Sequence, residues 1–372
     1  MNRVMIRDMK IHTVLGGIQD TFAGLMNGHT GIVQVKHGFE GVAGTISCLD
    51  KAGGESRFES LLELVLKNFH ELSADTLLIT STTKAGIDML EKHMRGEQAG
   101  LFKVLPGSMT SHVRKRLSMG SPGISISAAC ASSAVALARG AMEIYSGRVR
   151  SALVVCADIV SEFVLKGFGA LQALDSRPCR PFDRDRAGLS PGEGVAAIHL
   201  VGMDRADKAG KHMLGEIMGW GVACDAVHVT APARDGRGLV MAMNASLKRA
   251  GLSHEDVGAV HAHGTGTVYN DAMELEAVRK VFRHRLLPVH SVKGALGHTM
   301  AAAGGIEAVL GIMSLEAGLV PPTVGLEFPD KKAAGYVSAE AQRLSGRVII
   351  STNSGFGGIN AALVLGPPQE AA

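Results

Sequence analysis

The chain has 372 residues, 46% hydrophobic and only 4% aromatic, with 38 basic and 35 acidic side chains and a net charge of +3. That is enough apolar material for one large or two medium domains with a sizeable core, which excludes a disordered chain. Scarce aromatics and near-balanced charge argue against a base-stacking or polyanion-binding surface, so no nucleic-acid partner is expected. The first residues, MNRVMIRDMKIHTV, alternate apolar and polar and lack the continuous apolar run of a signal peptide. No stretch is expected to reach the roughly 18 apolar residues of a membrane span. Five cysteines, at 48, 130, 156, 179 and 224, form neither CxxC pairs nor a disulfide framework, which points to a reduced, cytoplasmic protein.

Residues 57–72 place Phe58, Leu61, Leu62, Val65, Phe69 and Leu72 at helical spacing, which predicts an amphipathic helix. Residues 76–81 (TLLITS) read as a buried strand, and 123–127 (GISIS) as a short strand leading into Cys130. The run Arg114-Lys115-Arg116 reads as a solvated helix end. Residues 131–146 (ASSAVALARGAMEIYS) carry small residues on nearly every side, the mark of a helix buried between layers. Residues 151–157 (SALVVCA) follow as a strand. The second half repeats the style, with helix 238–250, strand 257–262, helix 271–282, strand 287–292, small-residue helix 300–316 and strand 347–352. Such alternation predicts an α/β protein with mostly parallel sheets, in two halves spanning 1–205 and 206–372.

The chemistry concentrates at strand-to-helix junctions, where α/β proteins assemble their sites. Cys130 lies in SAACASS between a strand and a helix start. Unpaired N–H groups there favour a thiolate and predict a lowered thiol pKa, and the Cys130 N–H can help hold an oxyanion. The other four cysteines read as small buried hydrophobes. His263 lies in HAHGTGT and His298 in KGALGHTMAAAGG, each past a strand. With fifteen histidines in the chain, one histidine alone says little; three junctions carrying a nucleophile or a base beside glycines say more. Lys293, five residues before His298, is either a surface cation or a buried one that orients the histidines, with Asp271 and Glu307 as possible counter-charges. NSGFGG, with Asn353 and Phe356, ends the last strand as a glycine-rich turn.

SAACASS, HAHGTGT, KGALGHTMAAAGG and NSGFGGIN occur in the order found in β-ketoacyl-acyl-carrier-protein synthases of the type I/II class. RPFDRDRAGLSPGEG and DAVHVTAP resemble further stretches of that family, so the likeness spans nearly the whole chain. The resemblance implies a thiolase-like fold of two duplicated α/β halves in a five-layer αβαβα arrangement. It implies Cys130 as the acyl-accepting nucleophile, His263 and His298 as stabilisers of the enolate left when a malonyl extender loses CO₂, and Lys293 as the supporting cation. The backbone N–H groups of Cys130 and Phe356 would form an oxyanion hole. Thr265 and Thr267 match positions that bind a pantetheine arm, and Phe168 and Phe356 line the substrate path. No metal or resident cofactor is implied, because the substrates ride on the phosphopantetheine of an acyl carrier protein. The partner list is that carrier protein and a second subunit, in a homodimer or a heterodimer with a related chain. A basic patch at the entrance is expected, with Arg177, Arg180 and Arg114–Arg116 as candidates.

The chain also departs from the family pattern. The family usually has an extra phenylalanine between Asn-Ser and Gly-Phe, which shortens the gating segment here. Val268 replaces a frequent proline, and His261 stands where asparagine is common, at a position that in the family sometimes borders a bound ion. The segment around 31–75 looks short. These departures point to a specialised paralogue. Three other readings stay open. The first is a thiolase or coenzyme A-dependent starter synthase, disfavoured because no cysteine follows Cys224 and because His298 occupies the third junction. The second is a non-catalytic chain-length-factor-like subunit, and the third an acyltransferase that uses Cys130 without condensation.

Overall fold

The computed structural model describes residues 2–35, 41–51, 56–67, 69, 72–203 and 212–368. The boundary expected at 205/206, and parts of the short 31–75 segment and of the helix expected over 57–72, fall outside the described residues. Among those described, ten strands form the main sheet. They are β1 (Val4–Thr13), β2 (Leu77–Ser81), β3 (Ile124–Ile126), β4 (Ser151–Asp158), β5 (Gly194–Gly202), β6 (Gly215–Cys224), β7 (Val257–His261), β8 (Val289–His290), β9 (Val348–Gly355) and β10 (Ile359–Gly366). Their lateral order is β8-β7-β9-β10-β6-β1-β5-β4-β2-β3. Outward from the middle, β1-β5-β4-β2-β3 is matched strand for strand by β6-β10-β9-β7-β8, so the second half repeats the topology of the first. Among the described residues, the two central strands β1 and β6 pair at Met5–Glu216 and Ile6–Gly215.

The expectation of mostly parallel sheets needs correction. The β2–β3, β2–β4, β7–β8 and β7–β9 ladders are parallel, whereas those involving β1, β5, β6 and β10 are antiparallel. The cause lies in β5, β6 and β10, which the sequence pattern did not single out. GVAAIHLVG and INAALVLG are almost wholly buried, so they lack the polar–apolar alternation that marks a half-exposed strand, and their Gly and Ala give weak β propensity. The other elements that the sequence predicted fall close to expectation.

Ten helices accompany the sheet among the described residues: α1 (Ile18–Met26), α2 (Arg57–Leu66), α3 (Ile87–Met94), α4 (Pro106–Arg116), α5 (Ser132–Tyr145), α6 (Glu162–Ala170), α7 (Arg237–Ala250), α8 (Val268–Val281), α9 (Lys293–Leu296) and α10 (Ala303–Ala317). Three apolar cores show five layers. One core joins α2 and α4 to one sheet half, and a second joins α7 and α8 to the other. Between them, α5 and α10 share a core with strands of both halves. This central layer explains the composition of its helices. A Cβ on Gly304 would lie 3.0 Å from Ala134 Cβ, and one on Gly305 would run into Cys156 Sγ. The Gly305 amide donates to Ser133 Oγ at 2.9 Å, a buried bond between the two helices.

The same helix corrects a second expectation. With its leading 3₁₀ turn, Met300–Ala317 is 18 residues long and apolar enough to cross a membrane by length and composition. Here 83% of it is buried inside the protein, which makes it the central core helix. Gly305→Val, placed against Cys156, Ala196 and Ser133, is expected to force α5 and α10 apart and to cost about 1–3 kcal/mol of unfolding free energy, measured by urea denaturation.

Candidate active site

Cys130 follows β3 and precedes α5, whose N-cap is Ala131 and first helical residue Ser132. The nucleophile candidate therefore sits just outside the helix, one residue before its cap. The chain turns sharply here, with Ala129 at φ +48°, a left-handed conformation costly for a residue with a Cβ. Ser132 holds the turn, its Oγ accepting from the Ala128 amide at 2.8 Å and donating to the Ala129 carbonyl at 2.5 Å. Gly355, at the end of β9, lies so near that a Cβ there would be 3.1 Å from Cys130 N. A Cβ there would crowd three backbone atoms, so glycine suits the approach, which brings the next residue, Phe356, beside the cysteine backbone.

His263 lies just past β7, and His298 in the turn between α9 and the 3₁₀ turn at Met300–Ala302. Both are buried, and their rings meet edge-to-face with centroids 5.0 Å apart. Cys130 Sγ and one nitrogen of each ring lie within 4.8 Å of one another. Backbone bonds to the first half hold His298 on both sides: its N–H donates to Ser190 O at 2.7 Å, and its C=O accepts from Gly192 N at 2.9 Å. Lys293 is buried, and its Nζ bonds Glu307 Oε1 at 2.5 Å, so Glu307 is the counter-charge. The other Glu307 oxygen accepts from Asn353 Nδ2 at 2.7 Å, and that nitrogen lies 3.5 Å from His263 Nδ1. Asn353 thus links the ion pair to the histidine, a part that its place in a turn motif did not reveal.

Asp271 does not pair with Lys293. It is buried beneath the HGTGT loop, where it accepts from the amides of Thr265, Gly266 and Phe182 at 3.1, 3.2 and 2.8 Å, and it faces Arg186 at 3.7 Å. Glu274, one helical turn further on and unnoticed in the sequence, accepts from the His263 and Gly264 amides, each at 2.6 Å. The DxxE spacing that puts both carboxylates on one face of α8 is the signal that could have revealed it. Thr265 and Thr267 join through their hydroxyls at 2.9 Å.

A cavity of about 400 Å³ is lined by Cys130, His263 and His298 together with Thr265, Thr267, Phe168 and Phe356; Lys293 lies behind it. The Phe168 and Phe356 rings meet at 6.2 Å, so the shortened NSGFGG turn still brings an aromatic ring into the cavity wall. Of the basic candidates, Arg177 is exposed. Arg180 is instead buried against Asp175 at 3.8 Å, and Arg114–Arg116 form the last turn of α4, which contributes nothing to the cavity lining.

Burial dominates the electrostatics. It pushes the Cys130 thiol up to about 11, against the pull of the Lys293 and Lys84 charges, which corrects the expected lowering by the helix start. Burial also holds His263 and His298 well below the usual imidazole range, and Lys293 adds to both effects. At neutral pH the site therefore presents two neutral imidazoles and a thiol. Cys130, His263 and His298 have metal-like spacing, but the ammonium groups of Lys293 and Lys84 nearby oppose a dication. His261 packs its ring against that of His290, centroids 4.1 Å apart, and burial lowers His261 to about 4.

A mirrored pair of α/β halves with a buried Cys-His-His cluster at their junction defines a condensing enzyme of the thiolase-like fold. The beta-ketoacyl synthase N-terminal and C-terminal domain models match residues 76–206 and 214–327. Nodulation protein E of Rhizobium sp. (strain N33) is 32% identical over 297 residues, covering 79% of this chain and 71% of that protein. A 3-oxoacyl-[acyl-carrier-protein] synthase 2 of Vibrio harveyi is 28% identical over 97% of this chain and 98% of its own length. A namesake from Synechocystis sp. is 38% identical over 206 residues, a match covering half of that protein. Among solved structures, the ishigamide ketosynthase/chain length factor superposes with a TM-score of 0.90 at 26% identity, covering 99% of this chain and 100% of that one. A ketosynthase of Xenorhabdus doucetiae in complex with its chain length factor gives 0.86 at 26%, covering 99% and 98%. The chain belongs to the beta-ketoacyl synthase family.

The buried imidazoles carry a stability consequence. A histidine held below its unfolded value takes up its proton on unfolding, so its share of stability is intact above about pH 6.5 and is lost progressively as pH falls from there towards its folded pKa. His261, His263, His290 and His298 all behave this way. Urea unfolding between pH 7 and 5 should show stability falling ever more steeply, towards a limit of about 1.4 kcal/mol per pH unit for each such histidine below about pH 6, with net proton uptake on unfolding. A flat profile over that range would contradict the burial of these rings.

Proposed function

We propose that the protein joins a Cys130-bound acyl group to a malonyl unit by decarboxylative Claisen condensation, with both substrates delivered on an acyl carrier protein. The observation that carries this reading is the convergence of Cys130 Sγ, His263 and His298 within 4.8 Å in a single cavity. Attack of the Cys130 sulfur on the acyl thioester forms the new thioester and releases the carrier thiol, which takes the Cys130 proton. Loss of CO₂ from the malonyl group then leaves an electron pair delocalised onto the thioester oxygen as an enolate. Two neutral imidazoles can each donate one N–H to that oxygen, which is why their depressed pKa values suit the step. The enolate carbon attacks the Cys130 thioester. The tetrahedral oxyanion is held by the amides of Cys130 and Phe356, and its collapse expels the Cys130 thiolate.

Thr265 and Thr267 present hydroxyls to the cavity and suit the pantetheine arm, while Phe168 and Phe356 suit the acyl chain. Lys293, through Glu307 and Asn353, fixes His263. The chemistry calls for no resident cofactor or metal, because the enolate is stored on hydrogen bonds. The carrier-protein partner is supported by the names of the relatives. A dimer is supported by the exposed Ser125 in edge strand β3, where a second subunit could extend the sheet. The second subunit is a copy of this chain, or a related chain length factor of the kind that accompanies the Xenorhabdus ketosynthase. Free cysteines at all five positions suit the cytoplasm.

The test is mass spectrometry of the protein incubated with malonyl-carrier protein and a panel of acyl-carrier proteins. Acylation at Cys130 and a product two carbons longer are expected, and Cys130→Ser should abolish both. His263→Ala and His298→Ala should each slow decarboxylation by about 10²–10³-fold while leaving Cys130 acylation measurable. Acylation without elongation would favour an acyltransferase, and no acylation of the folded protein would favour a non-catalytic subunit.

A further inference from the structure

A further ion pair, a buried carboxylate with a partly buried ammonium, lies beside the cavity, contributed by the N-terminal half and used by none of the steps above. Asp158 ends β4 with its carboxylate 1% exposed. It accepts from Thr82 Oγ1 at 2.9 Å, from the Thr83 amide at 3.2 Å and from Thr83 Oγ1 at 2.7 Å, which ties the segment after β2 to the end of β4. Its Oδ2 then reaches across to the C-terminal half and accepts from Ala301 N at 2.9 Å. Lys84 lies over this carboxylate at 3.7 Å. Its Nζ also bonds Thr83 Oγ1 and lies 3.1 Å from Met300 Sδ. Met300, two residues after His298, has φ +50°, a strained conformation that these contacts over-determine. A buried ion pair contributes little net stability over apolar residues, so its value lies in what it orients.

We propose that Lys84 and Asp158 are a positioning pair for condensation: Asp158 anchors the turn that carries His298, and Lys84 brings to Cys130 a second positive charge, from the opposite half to Lys293. The proposal rests on the roles given above to Cys130 and His298. The groups around the thiol are Lys84 from the segment after β2, Asp158 from β4, His263 after β7, Lys293 from α9 with Glu307 behind it, and His298. The Lys84 and Lys293 charges favour the thiolate, and the Asp158 charge opposes it. The two members of the pair therefore push Cys130 in opposite directions.

The experiment is peptide-resolved mass spectrometry of iodoacetamide alkylation at Cys130 against pH, alongside the condensation assay. Lys84→Met should slow alkylation at pH 8 by about three- to tenfold, and Asp158→Asn should speed it by a similar factor. Asp158→Asn should nevertheless lower condensation, because one amide oxygen cannot replace both Oδ1, which accepts from Thr82, and Oδ2, which accepts from Ala301. Lys84→Arg keeps the charge and should stay within about twofold of wild type. The double variant Lys84→Met/Asp158→Asn removes both charges and should return alkylation towards the wild-type rate. Single variants that shift alkylation in the same direction, or by less than twofold while folded, would overturn the proposal. If either single variant does not fold, Lys84→Arg and the double variant decide: a rate more than threefold from wild type in either overturns it. A wild-type protein that alkylates normally but accepts no acyl group would overturn the condensation reading instead.

Discussion

The close approach of α5 and α10 is the constraint on which the cavity depends. Two helices can pass this near only where side chains are absent, and Gly304 and Gly305 meet Ala134, Ser133 and Cys156 at the crossing. Cys130 stands at the entry to α5 and His298 at the entry to α10, so the spacing of the helices sets the spacing of nucleophile and imidazole. Asn353 is caught in the same packing. Its Oδ1 lies against Gly304, which aims its amide nitrogen at Glu307 and His263. A larger residue at the crossing would spread the cavity as well as the core.

Polar groups buried this deeply are costly unless they are paired, and the site pairs them in tiers. Lys293 neutralises Glu307, and Glu307 engages Asn353. Asp271 and Glu274 gather the amides of the HGTGT loop, so that loop has no freedom to carry His263 away. The imidazoles of His263 and His298 are left uncharged inside this frame. A group that must donate a hydrogen bond to a developing enolate works best when it is already oriented and dry, because no solvent has to reorganise as charge develops.

Much of the site was legible because its motifs are local. Cys130, His263 and His298 each lie at a junction whose glycines and strand endings are encoded within a few residues, and all three line the cavity. The repeat of helix and strand style also anticipated the duplicated topology. Legibility ended where the signal is not local. The strands β5 and β10 are buried on both faces and carry no alternation. Asp271 looked like a counter-charge for Lys293, but the tertiary fold turns it towards the loop beside it. The entrance arginines illustrate the same limit, since the fold buries Arg180 against Asp175.

By itself, the sequence determined the elements with a local periodic signal, the order of the junction motifs and the residue types of the reacting groups, since backbone conformation and residue type are set over short stretches of chain. The tertiary structure alone decided which charges meet. Lys84 and Asp158 are 74 residues apart, and Asp158 finds Ala301 across 143. It also decided the ionisation of the cavity, where desolvation outweighs the helix start at Cys130 and keeps the histidines neutral. Burial is a property of everything packed around a group, and no window of neighbouring residues contains it.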